Sequence, residues 1–233
     1  MLFLVGTVYN ESVEVSIEGA GTMSKIAKPS ISTEETTSDF SRVFDANHPY
    51  LEEITIENCS ITNLDVQGIE FINVIFKNVA FVDVNFEKIY LRDVQFESCD
   101  LSLANLDEAT MQRVAFKNCQ LTGVTMTDSR LQNVLFNQCN LRLAGMGYSV
   151  KKYVQYTECV LTEADFYHGK WSKVYFEGCE LTGSNLSNTL LKGIDLRRSN
   201  FEHLTVRMED LRGCIVNPIQ AQQLSTLLGL VIK

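Results

Sequence analysis

The chain has 233 residues and a formal net charge of -9 at pH 7. This length fits one domain, or one domain with a small appendage, and the acidic balance disfavours non-specific binding to nucleic acid or to anionic lipid. No apolar run approaches the roughly eighteen residues of a membrane-spanning helix, and the opening residues lack the basic region of a secretory signal. We therefore expect a cytoplasmic protein that neither enters a membrane nor binds nucleic acid directly.

The first 53 residues lie outside the pattern that governs the rest of the chain. Residues 3–9 and 13–17 alternate as strands do and predict a hairpin. Alternatively, residues 18–22 can be encoded by a purine-rich ribosome-binding sequence, so that translation begins at Met23 rather than Met1. The sequence leaves both readings open. Residues 30–41 are polar and predict a flexible lead-in. We assign residues 1–40 to an N-terminal extension and 41–53 to an N-terminal cap.

From residue 54 to residue 216 the sequence repeats every five residues without an insertion. One column is apolar and includes Phe96, Phe116 and Phe136, whereas a second column, two residues earlier, is small or β-branched, as at Val114 and Val124. A period of five fits neither a helix nor a simple strand. Repetition at a fixed period indicates a solenoid, in which each unit buries its apolar face by stacking on its neighbours.

The blocks at residues 104–108 and 164–168 show the pattern most fully, as Ala-Asn-Leu-Asp-Glu and Ala-Asp-Phe-Tyr-His. In this respect the chain resembles the pentapeptide-repeat family over about 160 residues. The resemblance implies an all-β solenoid, a right-handed quadrilateral β-helix with four pentapeptides in each square coil, here of about eight coils. Both ends of such a rod need caps because each exposes unpaired strand edges.

The cysteines support a coil of twenty residues independently. Five of them recur at that spacing, with Cys59 in the same phase: Cys99, Cys119, Cys139, Cys159 and Cys179. Stacked β-carbons would stand about 4.8 Å apart, too far for an ordinary disulfide. A ladder also does not converge on one point as metal ligands must. We expect reduced, buried thiols, including Cys214 on the neighbouring face, and no metal or other cofactor.

Charges of opposite sign separate onto two neighbouring faces when residues are assigned to the sides of the square. We call the first the acidic face, and its candidate interaction residues are Asp65, Glu87, Asp107, Glu108, Asp128 and Asp165. We call the second the basic face, and its candidates are Arg92, Arg113, Arg130, Lys151, Lys152, Lys170 and Lys173. Two interpretations stay open, namely solvated faces whose charges pair around a corner, and binding surfaces.

Lys151 breaks the repeat, because it falls where Leu or Phe should point inward. A buried, unpaired ammonium is costly, so we expect the side chain to turn outward or the backbone to bulge. Trp171 lies one coil later on the same face, with Gly169 in its small position. The stem of Lys151 is expected to lie over the Trp171 ring. This position is either a distorted coil or a recognition site.

Residues 217–233 predict a short amphipathic helix. Asn217 can cap it, Pro218 suits its first turn, and the pattern breaks near Gly229. The helix would cover the last coil, and its remaining apolar surface predicts a homodimer in which one patch meets its own copy. The candidate dimerisation residues are Leu224, Leu227, Leu228, Leu230 and Val231.

Nothing in the sequence indicates an enzyme. His48, His168 and His203 are scattered, and no glycine-rich loop follows a strand to hold phosphate. Asp and Asn residues before the central position, such as Asn105 and Asp165, fit the turn chemistry of the coil. We therefore expect a protein without catalytic residues.

Two functions follow from these features. The acidic rod with a terminal helix ending in Leu-Leu-Gly-Leu-Val-Ile resembles the bacterial quinolone-resistance proteins of the Qnr and MfpA types. That resemblance implies a DNA mimic that binds DNA gyrase or topoisomerase IV and modulates quinolone susceptibility, with the loop-free relatives as the closer analogy. The alternative is an interaction scaffold without DNA mimicry, which binds a protein partner through the basic face, through the coil at Lys151 or through Tyr90, Tyr153, Tyr167 and Tyr175.

Overall fold

The computed structural model describes residues 26–230. The predicted hairpin at residues 3–17, the alternative start at Met23 and the dimerisation candidate Val231 lie outside the described residues. In chain order the elements are β1 Glu35–Thr37, α1 Phe40–Val43, β2 Tyr50–Glu52, β3 Ile54–Thr62, β4 Glu70–Val82, β5 Tyr90–Glu97, β6 Thr110–Lys117, β7 Arg130–Asn137, β8 Val150–Thr157, β9 Lys170–Glu177, α2 Pro218–Leu224 and a 3-10 helix at Ser225–Leu228.

The strands form one parallel sheet that is wound into a solenoid. From β3 to β9 each strand pairs with the next, and partners lie twenty residues apart, as for Phe96 with Phe116 and for Phe116 with Phe136. After β9 the winding continues through single bridges such as Asp195 with Ile215. The prediction of an all-β solenoid without insertions is confirmed, with about seven turns of stacked chain where the sequence predicted about eight coils.

The core follows the two predicted columns. Phe76, Phe96, Phe116, Phe136, Tyr156 and Phe176 stack along one wall with ring centroids 4.8–5.1 Å apart and interplanar angles of 4–9°. The small column lies beside them, and Val114 and Cys119 are fully buried. Two side chains in five, one from each column, therefore fill the inside of the tube, because neighbouring coils supply the apolar surface that a single coil lacks.

Corners between the sides carry a left-handed backbone at nearly every fifth residue. Examples are Asn118 with φ 54°, Asn133 with φ 56° and Gly123 with φ 67°. Asn adopts this region more readily than most residues. Inside each side, Asx contacts hold the chain, since the Asn105 Oδ1 accepts from the Asp107 N–H at 2.9 Å. This agrees with the structural role expected for such residues.

The N-terminal end is capped from an earlier residue than expected. β1 pairs in parallel with β3, with Glu35 opposite Ile54, so part of the predicted flexible lead-in is a strand on the first coil. In α1, Phe40 is buried and its ring stacks on Phe44 at 4.7 Å. The expected cap at residues 41–53 therefore begins near residue 35, because the edge of β3 offers hydrogen-bonding groups that a polar strand can satisfy.

The C-terminal end is closed by α2. The Asn217 side chain accepts from the Gln220 N–H, and the Gln220 side-chain oxygen accepts from the Asn217 N–H. The two hydrogen bonds form a capping box. The buried Gln220 Nε2 also donates to the carbonyls of Leu196 at 2.8 Å and Ser199 at 2.7 Å. The first contact adds a second donor to the Leu196 carbonyl, which also accepts from the Ser199 N–H at 2.9 Å, and the second gives the Ser199 carbonyl a donor. Gly229, with φ 71°, ends the 3-10 helix as the sequence predicts. Within residues 26–230 no helix has the length and apolar character needed to cross a membrane.

Candidate interaction surfaces

The acidic face lies on the side of the solenoid that follows the corner at residues 103, 123 and 143. Asp65 and Asp165 occupy the outward column before the buried central residue, whereas Glu87 and Asp107 occupy the one after it. Glu108 and Asp128 are exposed at the next corner, where both have a left-handed backbone. The six carboxylates therefore share one face, spread over three columns.

Several of these carboxylates already have partners within the chain. Asp65 accepts from Asn85 at 2.7 Å, and Asp107 accepts from the Thr127 N–H at 2.7 Å. Lys88 lies between two acidic residues, with its Nζ 2.6 Å from a Glu87 oxygen and 3.7 Å from a Glu108 oxygen. These contacts are solvent-exposed and each contributes little to stability. The acidic face is thus partly neutralised at the coil of Lys88.

The basic face follows from the register of β4 to β9. One column pairs Thr110 with Arg130, Arg130 with Val150 and Val150 with Lys170. Arg92 and Lys152 share a second column, and Arg113 and Lys173 share the corner column. The sheet therefore brings the outward cations of the sequence prediction onto one side. Lys151 is the exception.

Residues 26–34 form a segment that we call the N-terminal strap, and it lies along the edge of the basic face. The Ala27 N–H donates to the Asn133 side chain at 3.3 Å, and the Ser30 N–H donates to Asp93 at 3.0 Å. Further along, the hydroxyls of Thr33 and Thr55 lie 2.9 Å apart. From each of these contacts to the next, the partner residue lies about two coils nearer the N-terminal end of the solenoid. The strap therefore runs across successive coils and is not itself part of a coil.

Asp93 holds the strap and an arginine at once. The Arg113 guanidinium binds both of its oxygens, with Nε–Oδ1 at 2.7 Å and Nη2–Oδ2 at 2.5 Å. Burial acts to raise the pKa of Asp93, but the hydrogen bonds from Arg113 and from Ser30 outweigh it and lower the pKa below its usual value. Asp93 is therefore ionised in the folded protein, and Arg113 is not a free cation of the basic face.

The prediction that Lys151 turns outward or causes a bulge is wrong. Its side chain neither turns outward nor follows a bulge: it is 1% exposed, and its backbone stays in register between Leu131 and Trp171. The Nζ donates to the Ser149 hydroxyl and lies 3.4 Å from the Met146 carbonyl. Desolvation lowers the pKa of Lys151 to about 7. The amine is tolerated inside because it finds these acceptors and gives up its proton near neutral pH.

Aromatic rings surround this amine. The Lys151 Nζ lies 5.3 Å from the centroid of Phe166 and 5.8 Å from that of Trp171, as expected for the Trp171 contact. Trp171 is only half-buried, whereas Leu91, Met111, Leu131 and Leu191 in the same column are buried. The indole lies over Gly169, where a β-carbon would come 2.5 Å from Nε1. The coil is therefore altered in its side chains and not in its backbone path.

The dimerisation candidates occupy different environments. Leu224 is half-buried and packs against the core. Leu227, Leu228 and Leu230 are exposed by 36%, 58% and 55%. Ile219, on the same terminal segment, is exposed by 70%. The end of the rod thus carries apolar side chains that its own coils do not cover.

Five cysteines of the column, from Cys99 to Cys179, are buried as predicted, whereas Cys59 and Cys214 are only partly buried. Cys119 Sγ donates to the carbonyls of Phe96 at 3.5 Å and Lys117 at 3.4 Å. The neighbouring thiol of Cys139, together with burial, raises the pKa of Cys119. Burial raises the pKa of Cys214 to about 11. A thiol whose pKa is raised, as at Cys119 and Cys214, is a poor nucleophile. Among residues 26–230, no group of three or more His, Cys, Asp or Glu side chains is arranged to hold a metal ion.

Three features of the structure were not predicted from the sequence. The first is the strap, whose alternation is too short to separate from a loop. The second is a pair of leucines, Leu103 and Leu143, which are 81% and 50% exposed and adopt φ values of 62° and 60°. The third is the Trp171 Nε1, which is buried without a hydrogen-bond partner. The only sign of the Trp171 position in the sequence was the glycine two residues before the tryptophan.

Comparisons with known proteins agree with this architecture. A family model described as "Pentapeptide repeat region" matches residues 69–145, and one described as "Pentapeptide repeats (8 copies)" matches residues 159–198 and 179–216. Among curated proteins, none is significantly similar in sequence.

Three solved structures illustrate the structural similarity. A trypsin-treated variant of QnrB1, a plasmid-mediated fluoroquinolone resistance protein, is 20% identical, covering 87% of this chain and 97% of that chain with a TM-score of 0.42. HetL, involved in heterocyst differentiation regulation in the cyanobacterium Nostoc sp., is 18% identical over 71% and 90%, with a TM-score of 0.40. A thylakoid-lumen protein of Arabidopsis thaliana is 20% identical over 42% and 66%, with a TM-score of 0.31.

The two family models match consecutive stretches that together span more than half of the chain, and both stretches lie inside the wound part of the structure. The columns that the repeat pattern requires are the columns that fill the core. The chain therefore belongs to the pentapeptide-repeat family.

Proposed function

We propose that this protein acts without catalysis, as a stiff rod whose charged faces bind a protein partner. The observation that carries the proposal is the separation of charge by the register: carboxylates collect on one side of the solenoid and cations on the next. A rod that only had to be solvated would need no such separation, because interspersed charges serve solubility equally well. A cytoplasmic location is part of this proposal.

Binding to a type II topoisomerase by DNA mimicry is the specific form of the proposal for the acidic face. It is supported by six carboxylates on one side, between Asp65 and Asp165. Five coil spacings separate these two residues, which is about 24 Å along the rod. A DNA duplex carries about 14 charges over that length. The acidic face is sparser than a duplex, so the mimicry would have to rest on the position of a few charges rather than on their density.

Purified protein in a gyrase supercoiling assay tests this form. We expect inhibition that weakens as salt is added, since surface charges carry the contact. The double variant Glu108→Lys/Asp128→Lys should lose most of the inhibition, because both side chains are exposed at the corner of the acidic face. Glu158→Lys, on another side of the solenoid, is the matched control. Absence of inhibition at micromolar protein would remove the topoisomerase form of the proposal.

The general proposal is tested by cross-linking in cells of the source organism. We expect one protein to be captured by the wild type, retained by Glu158→Lys and lost when the face that binds it, acidic or basic, is reversed in charge. Capture by both face variants at the level of the wild type would contradict binding through charged faces.

We further propose that the rod is a homodimer joined at its C-terminal end. The exposed Leu228 and Leu230, together with Ile219, support this, because a two-fold axis through the patch would cover them. Leu228→Lys/Leu230→Lys should sediment as a monomer, whereas Leu103→Lys, at an exposed leucine elsewhere, should not change the mass. A monomeric wild type at micromolar concentration would contradict the proposal.

A further inference from the structure

The basic face carries a shallow depression centred on Trp171. Its volume is about 500 Å³, and Val150, Lys152, Lys170 and Leu190 line it around the indole. Val150 and Leu190 are 41% and 72% exposed, so they present apolar surface at either side of the ring. The depression thus has an apolar floor with lysines at its edge.

Trp171 is poorly satisfied where it lies. The buried Nε1 has no hydrogen-bond partner among residues 26–230, and an indole nitrogen can act only as a donor. Leaving a buried donor unpaired destabilises the folded state. The four aliphatic neighbours in this column are fully packed, whereas the indole is half-buried against a glycine that leaves it space. The solenoid has therefore placed its single tryptophan at a position that core packing does not explain.

The charge around the ring has one sign. Lys152 and Lys170 line the depression, and Lys173 lies on the same strand as Trp171. Within the described part of the chain none of these three ammonium groups forms an ion pair. No acidic side chain lines the depression. This contrasts with Arg113, whose charge is already matched by Asp93.

We propose that the Trp171 depression is the docking site for an acidic segment of a protein partner, with one apolar side chain of that segment on the indole and carboxylates beside it on Lys152 and Lys170. The proposal rests on the proposed function, a rod that binds a protein, and it names the part of the basic face that makes the contact. A half-buried tryptophan with a charged rim has the anatomy of an interface hot spot.

An acidic peptide fits better than a nucleic acid. The chain as a whole carries a charge of -9 and has a carboxylate-bearing face beside the basic one, both of which repel a polyanion. Nucleic-acid binding would also use the cations along the whole rod, but Arg113 is paired and the strap lies along the edge of that half of the face. Among the described basic-face cations that form no ion pair, Lys152, Lys170 and Lys173 lie around one apolar ring, whereas Arg92 and Arg130 lie on earlier coils.

The single tryptophan gives a direct measurement. The probe is a short synthetic peptide with one phenylalanine flanked on both sides by glutamates, titrated into the full chain while the tryptophan fluorescence is followed. We expect a saturable change that weakens with salt. Lys152→Glu/Lys170→Glu should raise the Kd about tenfold or more, which corresponds to about 1.4 kcal/mol. Lys77→Glu, an exposed lysine on another side, should bind as the wild type does.

The control peptides decide the chemistry. Replacing the phenylalanine by alanine, or the glutamates by lysines, should each abolish the change. An equal affinity for a single-stranded oligonucleotide, or a response to the alanine peptide as strong as to the original, would overturn the proposal. So would the absence of saturation at millimolar peptide.

A shortened chain that begins at Met23 tests whether the Trp171 depression is filled by residues 1–22 of this chain or by a separate partner. If its tryptophan emission without peptide differs from that of the full chain, and peptide binds only to the shorter form, residues 1–22 fill the site and the partner proposal fails. Failure here also differs from failure of the proposed function, because cross-linking through the acidic face would persist in Lys152→Glu/Lys170→Glu.

Discussion

Lys151 shows what a single residue can do in a repeat that tolerates few exceptions. A lysine in an inward column was recognised from the sequence, but its location was predicted wrongly, because the cost of burying an ammonium was weighed without the acceptors that stand ready inside. The Ser149 hydroxyl and the Met146 carbonyl come from the same turn of the chain. A five-residue pattern identifies the column in which a side chain lies. It does not show which hydrogen-bond acceptors lie near that side chain in the fold.

Replacing Lys151 by leucine should stabilise the protein. The pKa is about 7 in the folded state and near 10.5 in an unfolded chain, so between these values the unfolded state binds a proton that the folded state does not. Stability therefore rises with pH across this window, and the full penalty applies at and below pH 7. The gain for Lys151→Leu should be on the order of 2–5 kcal/mol at pH 6–7 and shrink towards pH 10.

Thermal unfolding at several pH values measures this, with Lys152→Leu as the control at an exposed neighbour. A gain in Tm that is the same at pH 6 and pH 10 would show that packing, and not ionisation, limits the wild type.

At the scale of elements, the strands of the solenoid were predictable and the strap was not. β3 to β9 each follow from apolar residues at fixed spacing, since stacked coils must bury the same columns. β1 is a short polar strand that pairs with β3, and the strap is held by single hydrogen bonds to residues far along the chain, such as Ser30 to Asp93. No local pattern records a contact of that kind. The capping helix was predictable because Asn217, Pro218 and Gly229 each mark a helix boundary locally.

Asp93→Ala should release the strap. The change removes the acceptor of the Ser30 N–H and the partner of Arg113, so amide exchange over residues 26–34 should accelerate about tenfold or more, as for a loss of about 1.4 kcal/mol. Asp100→Ala is a matched control, because the Asp100 side chain is exposed and accepts from the nearby Ser102 N–H at 2.9 Å, with no contact to the strap.

The same contact gives a pH dependence. The pKa of Asp93 is lowered by folding, so its contribution is present above the usual carboxyl range and is lost as the pH falls through the folded-state value. Exchange corrected for its intrinsic rate should therefore lose protection in acid, and Asp93→Ala should not show this loss.

For the whole molecule, stability should reside in the continuous interior. Phe116 lies between Phe96 and Phe136 at centroid distances of 4.8 and 4.9 Å and is fully buried. Phe116→Ala leaves a cavity that the neighbouring coils cannot fill, and it should cost about 3–5 kcal/mol in denaturant unfolding. Leu103→Ala, at an 81% exposed side chain, should change stability by less than about 0.5 kcal/mol. Similar losses for both would contradict a core built from the two buried columns.

The unvarying pairing offset of twenty residues also governs which length changes the rod can accept. Loss of a block such as residues 101–120 would shorten it by about 4.8 Å and leave every wall aligned. Loss of only five residues would preserve the apolar columns yet rotate everything downstream by a quarter turn, so that carboxylates and lysines would meet on the same wall. Insertions and deletions in this lineage should therefore come in multiples of four repeats wherever the two charged walls matter, and in single repeats only where they do not.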